Sequence, residues 1–173
     1  MFFNMKKTKA IAFSGITAAL SVVIMLIGGL IGIGVYAAPM ISGIILIPAE
    51  KKYGKKYHIS LWIAVSILSF LIVPDIEEVF LFIFLFGLYP LIRNLFMRLP
   101  KFIRFIAKLL YFNTVVITLE WLIIKFFVPE AMSITLAVTL VLMGNFTFVM
   151  YDYIIPRAEL ILYKYFGRIF RSF

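Results

Sequence analysis

The chain contains no cysteine and a single histidine, at position 58. The absence of cysteine excludes disulfide bonds, thiolate metal sites and cysteine catalysis. Charged residues are also scarce, at 14% of the chain, whereas a soluble domain carries about a quarter. There is no paired-histidine metal motif and no Ser/His pair within the apolar stretches. We therefore expect no enzymatic activity, no bound metal and no cofactor.

Apolar side chains are abundant and make up 64% of the 173 residues. No soluble fold of this size could bury so much apolar surface, so the solvent must be lipid. The apolar stretches run over residues 10–34, 35–49, 59–73, 77–97, 105–128 and 131–155. Four of them reach the about 20 residues that a transmembrane helix needs, and the second and third are shorter, either re-entrant or shielded by neighbours. The sequence predicts a single all-α transmembrane domain over residues 1–173.

The positive charges occur in blocks on alternate connections between the apolar stretches. Sixteen of the 17 basic residues lie before the first stretch, between the second and third, between the fourth and fifth, or after the sixth. The other connections, at residues 28–38, 74–78 and 129–130, carry no lysine or arginine. Basic residues stay cytoplasmic. The pattern predicts six crossings of the cell membrane with both termini inside, and it accounts for the net charge of +9 without a nucleic-acid partner.

Two basic stretches, residues 93–108 and 157–173, alternate positive with apolar side chains. Such segments favour the interface of a membrane, where the cations meet anionic headgroups. We expect both stretches to lie along the inner headgroups, with membrane lipid as a partner. Docking of another protein is the alternative.

Polar residues within the apolar stretches are the first candidates for a binding site. Glu120 and Asn113 lie in the fifth stretch, Asn145 in the sixth and Tyr89 in the fourth. An ionisable group at such depth costs about 2.5–3.5 kcal/mol even on the mildest scale, so it normally faces the bundle interior or a cavity. We expect these four residues to bind a solute. The alternative for Glu120 is a purely structural partner.

An acidic turn at the outer surface is the second candidate. Asp75, Glu77 and Glu78 precede the fourth stretch, where they either cap the helix or recognise a cationic or polar solute from outside. The glycine-rich run at residues 28–34 lacks the Lys-Ser/Thr of a phosphate-binding loop. It is predicted to unwind the outer end of the first helix or to allow close packing. Tyr36 follows it and could line a pocket.

Small residues form a stripe on the first predicted helix. Ala10, Ser14 and Ala18 are spaced by four residues, and so are Gly15 and Ala19. These rows lie side by side on one helix face, where small residues let another backbone approach closely. The stripe serves either packing within the bundle or docking of a separate membrane protein.

The size, the six predicted helices and the opening residues 6–9 followed by the Ala10 to Ala19 stripe resemble the substrate-binding S components of energy-coupling factor (ECF) transporters. That family docks its transmembrane coupling subunit through an alanine-rich face of the first helix, which Ala10, Ser14 and Ala18 match with one serine substitution. The resemblance implies capture of a small polar solute, a vitamin or precursor, from outside. It also implies a coupling membrane subunit and two cytoplasmic ATPase subunits as partners.

The metal-binding branch of that family carries a histidine near the N-terminus, which residues 1–4 lack. A second hypothesis of a different class remains open. The chain could be a non-transport membrane scaffold or assembly factor whose basic cytoplasmic face binds lipid or protein.

Overall fold

A computed structural model describes residues 2–31, 35–126 and 134–169, and this part of the chain is helical without a β-strand. The predicted all-α class is therefore confirmed. The helices are α1 (Phe2–Ile31), α2 (Ala37–Tyr53), α3 (Lys55–Ile72), α4 (Ile76–Leu81), a π-helical segment (Phe82–Phe86), α5 (Tyr89–Phe96), α6 (Lys101–Phe126) and α7 (Ile134–Ile169).

Within the described residues, four segments are long and apolar enough to cross a membrane: Thr8–Ile31, Lys55–Ile72, Ile76–Phe96 and Lys101–Ile123. Many large apolar side chains on these helices are exposed, among them Leu30, Leu71 and Leu110. Exposed apolar surface of this extent is typical of contact with lipid. The structure thus supports a membrane protein.

The sequence predicted a connection at the basic block of residues 51–56. In the structure these residues belong to two helices, apart from Gly54. Gly54 alone separates α2 from α3, and its φ of 95° lies in the left-handed region that favours glycine. The Gly54 amide donates to the Glu50 carbonyl at 2.8 Å, which closes the end of α2. The lysines on either side of Gly54 therefore belong to helix ends.

The two basic stretches are also absorbed into longer helices. Residues 93–108 comprise the end of α5, a turn at residues 97–100 and the first two turns of α6. Residues 157–169 continue α7 beyond Pro156. Neither forms a helix of its own, and their expected position along the headgroups stays a prediction. Residues 170–173 of the second stretch lie outside the described part of the chain.

The fourth predicted span is one helix with an irregular middle. Gly87 and Leu88 keep right-handed helical backbone angles, so α4, the π-helical segment and α5 run on continuously. The Gly87 amide donates to Phe82 O, five residues back, at 2.8 Å. Pro90 has no amide hydrogen, so it cannot bond the Phe86 carbonyl one turn earlier. The wide turn and the proline together release carbonyl groups from the helical ladder.

Side chains from three other helices bond carbonyl oxygens of this irregular region. The pairs are Trp62 Nε1 to Ile83 O (3.0 Å), Tyr111 Oη to Phe84 O (2.7 Å), Tyr151 Oη to Phe86 O (2.7 Å) and His58 Nε2 to Gly87 O (3.2 Å). Because a carbonyl only accepts, His58 carries a proton on Nε2. His58 is fully buried within α3, although it lies between the second and third apolar stretches of the sequence.

Two apolar cores lie on opposite sides of α2 and the Ile76–Phe96 span. The first joins these elements to α1 and α3, with Phe13, Met25 and Val65 at its centre. The second joins them to α6 and α7, with Phe112, Phe148 and Ile155. The α2 helix and the Ile76–Phe96 span therefore form the wall between two halves of the molecule.

Gly43 brings α2 directly onto the π-helical segment. A Cβ atom built on Gly43 would collide with the Phe86 carbonyl oxygen and lie 2.8 Å from the Tyr151 hydroxyl. Backbone is the obstacle, so rotation of a side chain cannot relieve the clash. The absence of a side chain at Gly43 is what allows the close approach.

We expect Gly43→Ala to lower the free energy of unfolding by about 1–3 kcal/mol, the usual range for overpacking. The added methyl must push α2 away from Phe86 and disturb the bond from Tyr151. Thermal or denaturant unfolding of the purified protein in detergent measures the effect. Gly15→Ala is the control, because nothing lies within 4 Å of a Cβ at that position. Equal losses in the two variants would contradict the close approach.

Candidate functional site

A buried carboxylate lies at the N-terminal end of the Ile76–Phe96 span. This end of the bundle is called outer, and the opposite end near Asp152 inner, after the predicted topology. Glu78 is fully buried, and neither of its carboxylate oxygens has a hydrogen-bond partner within the described residues. The carboxylate packs on α1: a Cβ atom at Gly28 would lie 3.0 Å from Oε1, and one at Gly29 would lie 3.2 Å from Oε2. These two glycines are helical and make room for Glu78. Of the two alternatives predicted for the glycine-rich run, they therefore follow close packing rather than unwinding. Residues 32–34 of the run lie outside the described part.

Asp75 caps α4. Its Oδ1 accepts from the amides of Glu77 at 2.9 Å and Glu78 at 3.3 Å, which are otherwise unbonded at the start of a helix. The capping alternative therefore holds for Asp75. The cap also fixes the two glutamates at the first turn of α4.

Tyr36 joins this acidic turn to α6 and α7. Burial raises the pKa of the Tyr36 phenol well above its usual range, and the nearby carboxyl groups of Glu77 and Glu120 act in the same direction. The phenol is thus a neutral hydroxyl group. Its oxygen is buried and has no hydrogen-bond partner in the described structure. The Tyr36 ring also reaches Gly144 of α7, where Cε1 would lie 3.9 Å from an added Cβ.

Asn113 and Asn145 form a reciprocal pair between α6 and α7. Each Nδ2 donates to the other Oδ1, at 2.9 and 2.8 Å, and each also donates to the carbonyl one turn back on its own helix, at 2.8 Å. All four amide hydrogens are therefore used. Each side-chain oxygen keeps a lone pair. The pair joins two helices, and any contact with a solute must use the oxygens.

Asp152 is the centre of an ionic cluster at the inner end. Its Oδ1 accepts from Tyr89 Oη at 2.6 Å and from Arg93 Nε at 3.0 Å, and its Oδ2 accepts from Lys108 Nζ at 2.7 Å. The three donors come from α5 and α6, and the acceptor from α7. Charge-assisted bonds of this length are among the strong ones in proteins. The cluster locks the inner ends of the three helices together.

The predicted solute-binding residues therefore fall into three groups. Tyr36, Asp75, Glu78 and Glu120 form the outer group, and Asn113 with Asn145 forms the middle one. Asn113 and Glu120 are seven residues apart on the same face of α6, about 10 Å along the axis. Tyr89 alone belongs to the inner cluster, at the other end of its span from Glu78.

Sequence reasoning missed the roles of Asp152, Arg93 and Lys108. A signal was present, because Asp152 is a lone carboxylate among basic residues at the inner end of the apolar stretches. An ionisable residue at that depth needs a partner, and the flanking basic residues are the nearest candidates. These residues lie on three different helices, and the spacing of residues along a single helix does not predict contacts between helices.

The small-residue stripe on α1 divides between packing and exposure. Ala10 and Ala18 are buried, Gly15 and Ala19 are exposed, and Ser14 is half-buried. A groove of about 440 Å³ runs here between α1 and α3, lined by Ile11, Ser14, Gly15, Ala18, Tyr57, Ser60, Leu61 and Ala64. Small residues thus come from both helices, which leaves room for a third backbone.

Fold and sites together define a helical membrane protein with an acidic outer group and a basic inner cluster on the same span. No group of three or more histidine, aspartate or glutamate side chains in the described ranges could hold a metal ion. No protein-family model, curated protein or solved structure matches the chain significantly.

We expect Asp152→Asn to lower the free energy of unfolding by about 3 kcal/mol, as for a broken buried ion pair. Arg93 and Lys108 would then remain mostly buried without a counter-charge, since their side chains are 14% and 8% exposed. Glu159→Gln is the control: it breaks the more exposed pair with Lys51, for which about 0–1 kcal/mol is expected. Denaturant unfolding in detergent measures both. Similar small losses would show that the cluster contributes little.

Proposed function

We propose that the chain is the substrate-capture subunit of an ECF-type importer. It binds a small polar solute, of the vitamin or precursor class, from outside. It then docks a coupling membrane subunit that two cytoplasmic ATPase subunits serve. The observation that carries this proposal is the buried Glu78 carboxylate, which has no hydrogen-bond partner among the described residues and adjoins other acidic groups.

The proposal includes six crossings of the cell membrane with both termini in the cytoplasm. The alternating basic blocks support this topology. In this topology, α2 and α7 are the two remaining crossings, beside the four segments that are long and apolar enough to span a membrane. The 17 residues of α2 correspond to about 25 Å, slightly less than the hydrocarbon thickness. The acidic group then faces the outside and the Asp152 cluster faces the cytoplasm.

The chemistry of the outer and middle groups favours a solute that donates hydrogen bonds or carries positive charge. The carboxylates of Glu77, Glu78 and Glu120 accept, as do the remaining lone pairs of Asn113 and Asn145. A carboxyl group buried without a hydrogen-bond partner is unfavourable, so a polar group on the solute would stabilise the site. The Tyr36 hydroxyl can accept or donate at the same place.

The groove between α1 and α3 supports the docking part of the proposal. Gly15 is exposed there, and a Cβ atom at that position would meet nothing within 4 Å. Ser60 and Ala64 of α3 continue the small-residue surface across the groove. Association of membrane helices depends on close packing of this kind, because lipid provides no hydrophobic drive between them.

The solute site is tested with the ligand that the purified protein retains, detected by native mass spectrometry. We expect Glu120→Gln to keep the fold and to weaken binding of that ligand by about 1.5–3 kcal/mol, the range for a charge-assisted hydrogen bond. Affinity and thermal stability are measured on the same preparation. Glu159→Gln removes one charge far from the site and serves as the control. Unchanged affinity in Glu120→Gln would remove this residue from the site.

Docking is tested with Gly15→Trp, which fills the groove from an exposed position. We expect the variant to keep the melting temperature of the isolated protein and to lose co-purification of a coupling subunit with two ATPases. Ile117→Trp is the control, at a position 58% exposed on α6. An intact complex with Gly15→Trp would exclude the groove as the docking surface. If the unaltered chain brings down no ATPase, the membrane scaffold becomes the better hypothesis.

A further inference from the structure

A cavity of about 630 Å³ opens at the inner end of the molecule between α5, α6 and α7. Its lining includes five cationic side chains and one carboxylate, that of Asp152. The cations are Arg93, Lys101, Arg104, Lys108 and Arg157. The cavity therefore carries a clear excess of positive charge.

The carboxylate is already fully engaged within the protein. Three donors bond Asp152, two of which are the cations Arg93 and Lys108. Within the described ranges, no carboxylate pairs with Lys101, Arg104 or Arg157. The uncompensated charge of the cavity thus comes from these three residues.

Two of the three remaining cations are held in place by contacts within the protein. Arg104 is held by the Leu99 carbonyl, to which Nε donates at 3.2 Å and Nη2 at 2.9 Å. The Arg157 guanidinium stacks over the Tyr153 ring, 3.7 Å from its centroid. Both contacts fix guanidinium groups in place, and the N–H donors that these contacts leave unused can bond the oxygens of a phosphate group.

Apolar side chains form the other part of the lining. Met97, Phe105, Val149, Tyr153 and Leu160 all line the cavity and are all exposed. Phe102 and Ile103 continue this exposed surface on α6. A soluble anion would make no use of such a wall. A ligand with an anionic head and acyl chains matches both parts of the cavity.

We propose that this cavity binds the phosphate group of an anionic membrane lipid. The cations hold the phosphate, and the exposed apolar side chains lie along the acyl chains. Basic pockets between transmembrane helices on the cytoplasmic side are suited to such headgroups. The site is separate from the acidic outer group and does not depend on transport.

The test compares two double variants of the full-length protein with equal loss of charge. Lys101→Gln with Arg157→Gln alters the cavity. Arg98→Gln with Lys55→Gln alters exposed basic residues that do not line it. Each protein is titrated in detergent with phosphatidylglycerol and, separately, with phosphatidylcholine, and bound lipid is counted by native mass spectrometry.

We expect phosphatidylglycerol to bind the unaltered protein more tightly than phosphatidylcholine does. The cavity variant should bind phosphatidylglycerol about 25-fold more weakly, about five-fold for each charge removed. The control variant should keep its affinity. Equal weakening in the two variants would overturn the proposal in favour of general surface attraction. Inorganic phosphate competing with phosphatidylglycerol at similar concentration would overturn the assignment to a lipid.

Discussion

The structure depends on satisfying the carbonyl groups that the π-helical segment and Pro90 release. Inside a bilayer no water is available to bond them, so the protein must supply every donor. It does so with Trp62 and His58 from α3, Tyr111 from α6 and Tyr151 from α7. Each bond fixes the height of its helix relative to the Ile76–Phe96 span. An irregular stretch of backbone thereby sets the register of three neighbouring helices.

The same span also separates the two polar regions of the molecule. Its first turn holds the acidic group, where Asp75 caps the helix and Glu78 packs on the glycines of α1. Its last turns hold Tyr89 and Arg93, which meet Asp152. The interval between them is apolar and packed on both sides. The outer and inner ends can therefore have opposite charge without direct contact between them.

The helical class and most helix positions could be predicted from the sequence, because long apolar stretches and blocks of lysine and arginine are local signals. The single-residue joint at Gly54 was missed, since apolar stretches end where the lysines begin although the helices continue. The π-helical segment was invisible for a different reason. Phe82–Phe86 reads as an ordinary apolar run, and the donors that satisfy it are 21–65 residues away along the chain.

For the candidate site, the sequence predicted which polar side chains lie within the apolar stretches, but not which of them bond each other. Glu120, Asn113 and Asn145 could be recognised as polar residues within apolar stretches. That the two asparagines bond each other, and that Tyr89 bonds Asp152 at the opposite end from Glu78, depends on which faces of three helices meet. Helix rotation is set by tertiary packing, so periodicity within one segment does not specify it.

The π-helical segment also lies where the span changes from one core to the other for some of its residues. In a straight α-helix, residues 82, 86 and 89 would share one face, because they are spaced by four and three. Here Phe82 packs in the core of α1 and α3, whereas Phe86 and Tyr89 pack in the core of α6 and α7. The wide turn between Phe82 and Gly87 holds one residue more than an α-helical turn. The span thus contributes to both cores: Val79 and Phe82 pack with α1 and α3, whereas Leu81, Leu85, Phe86 and Tyr89 pack with α6 and α7.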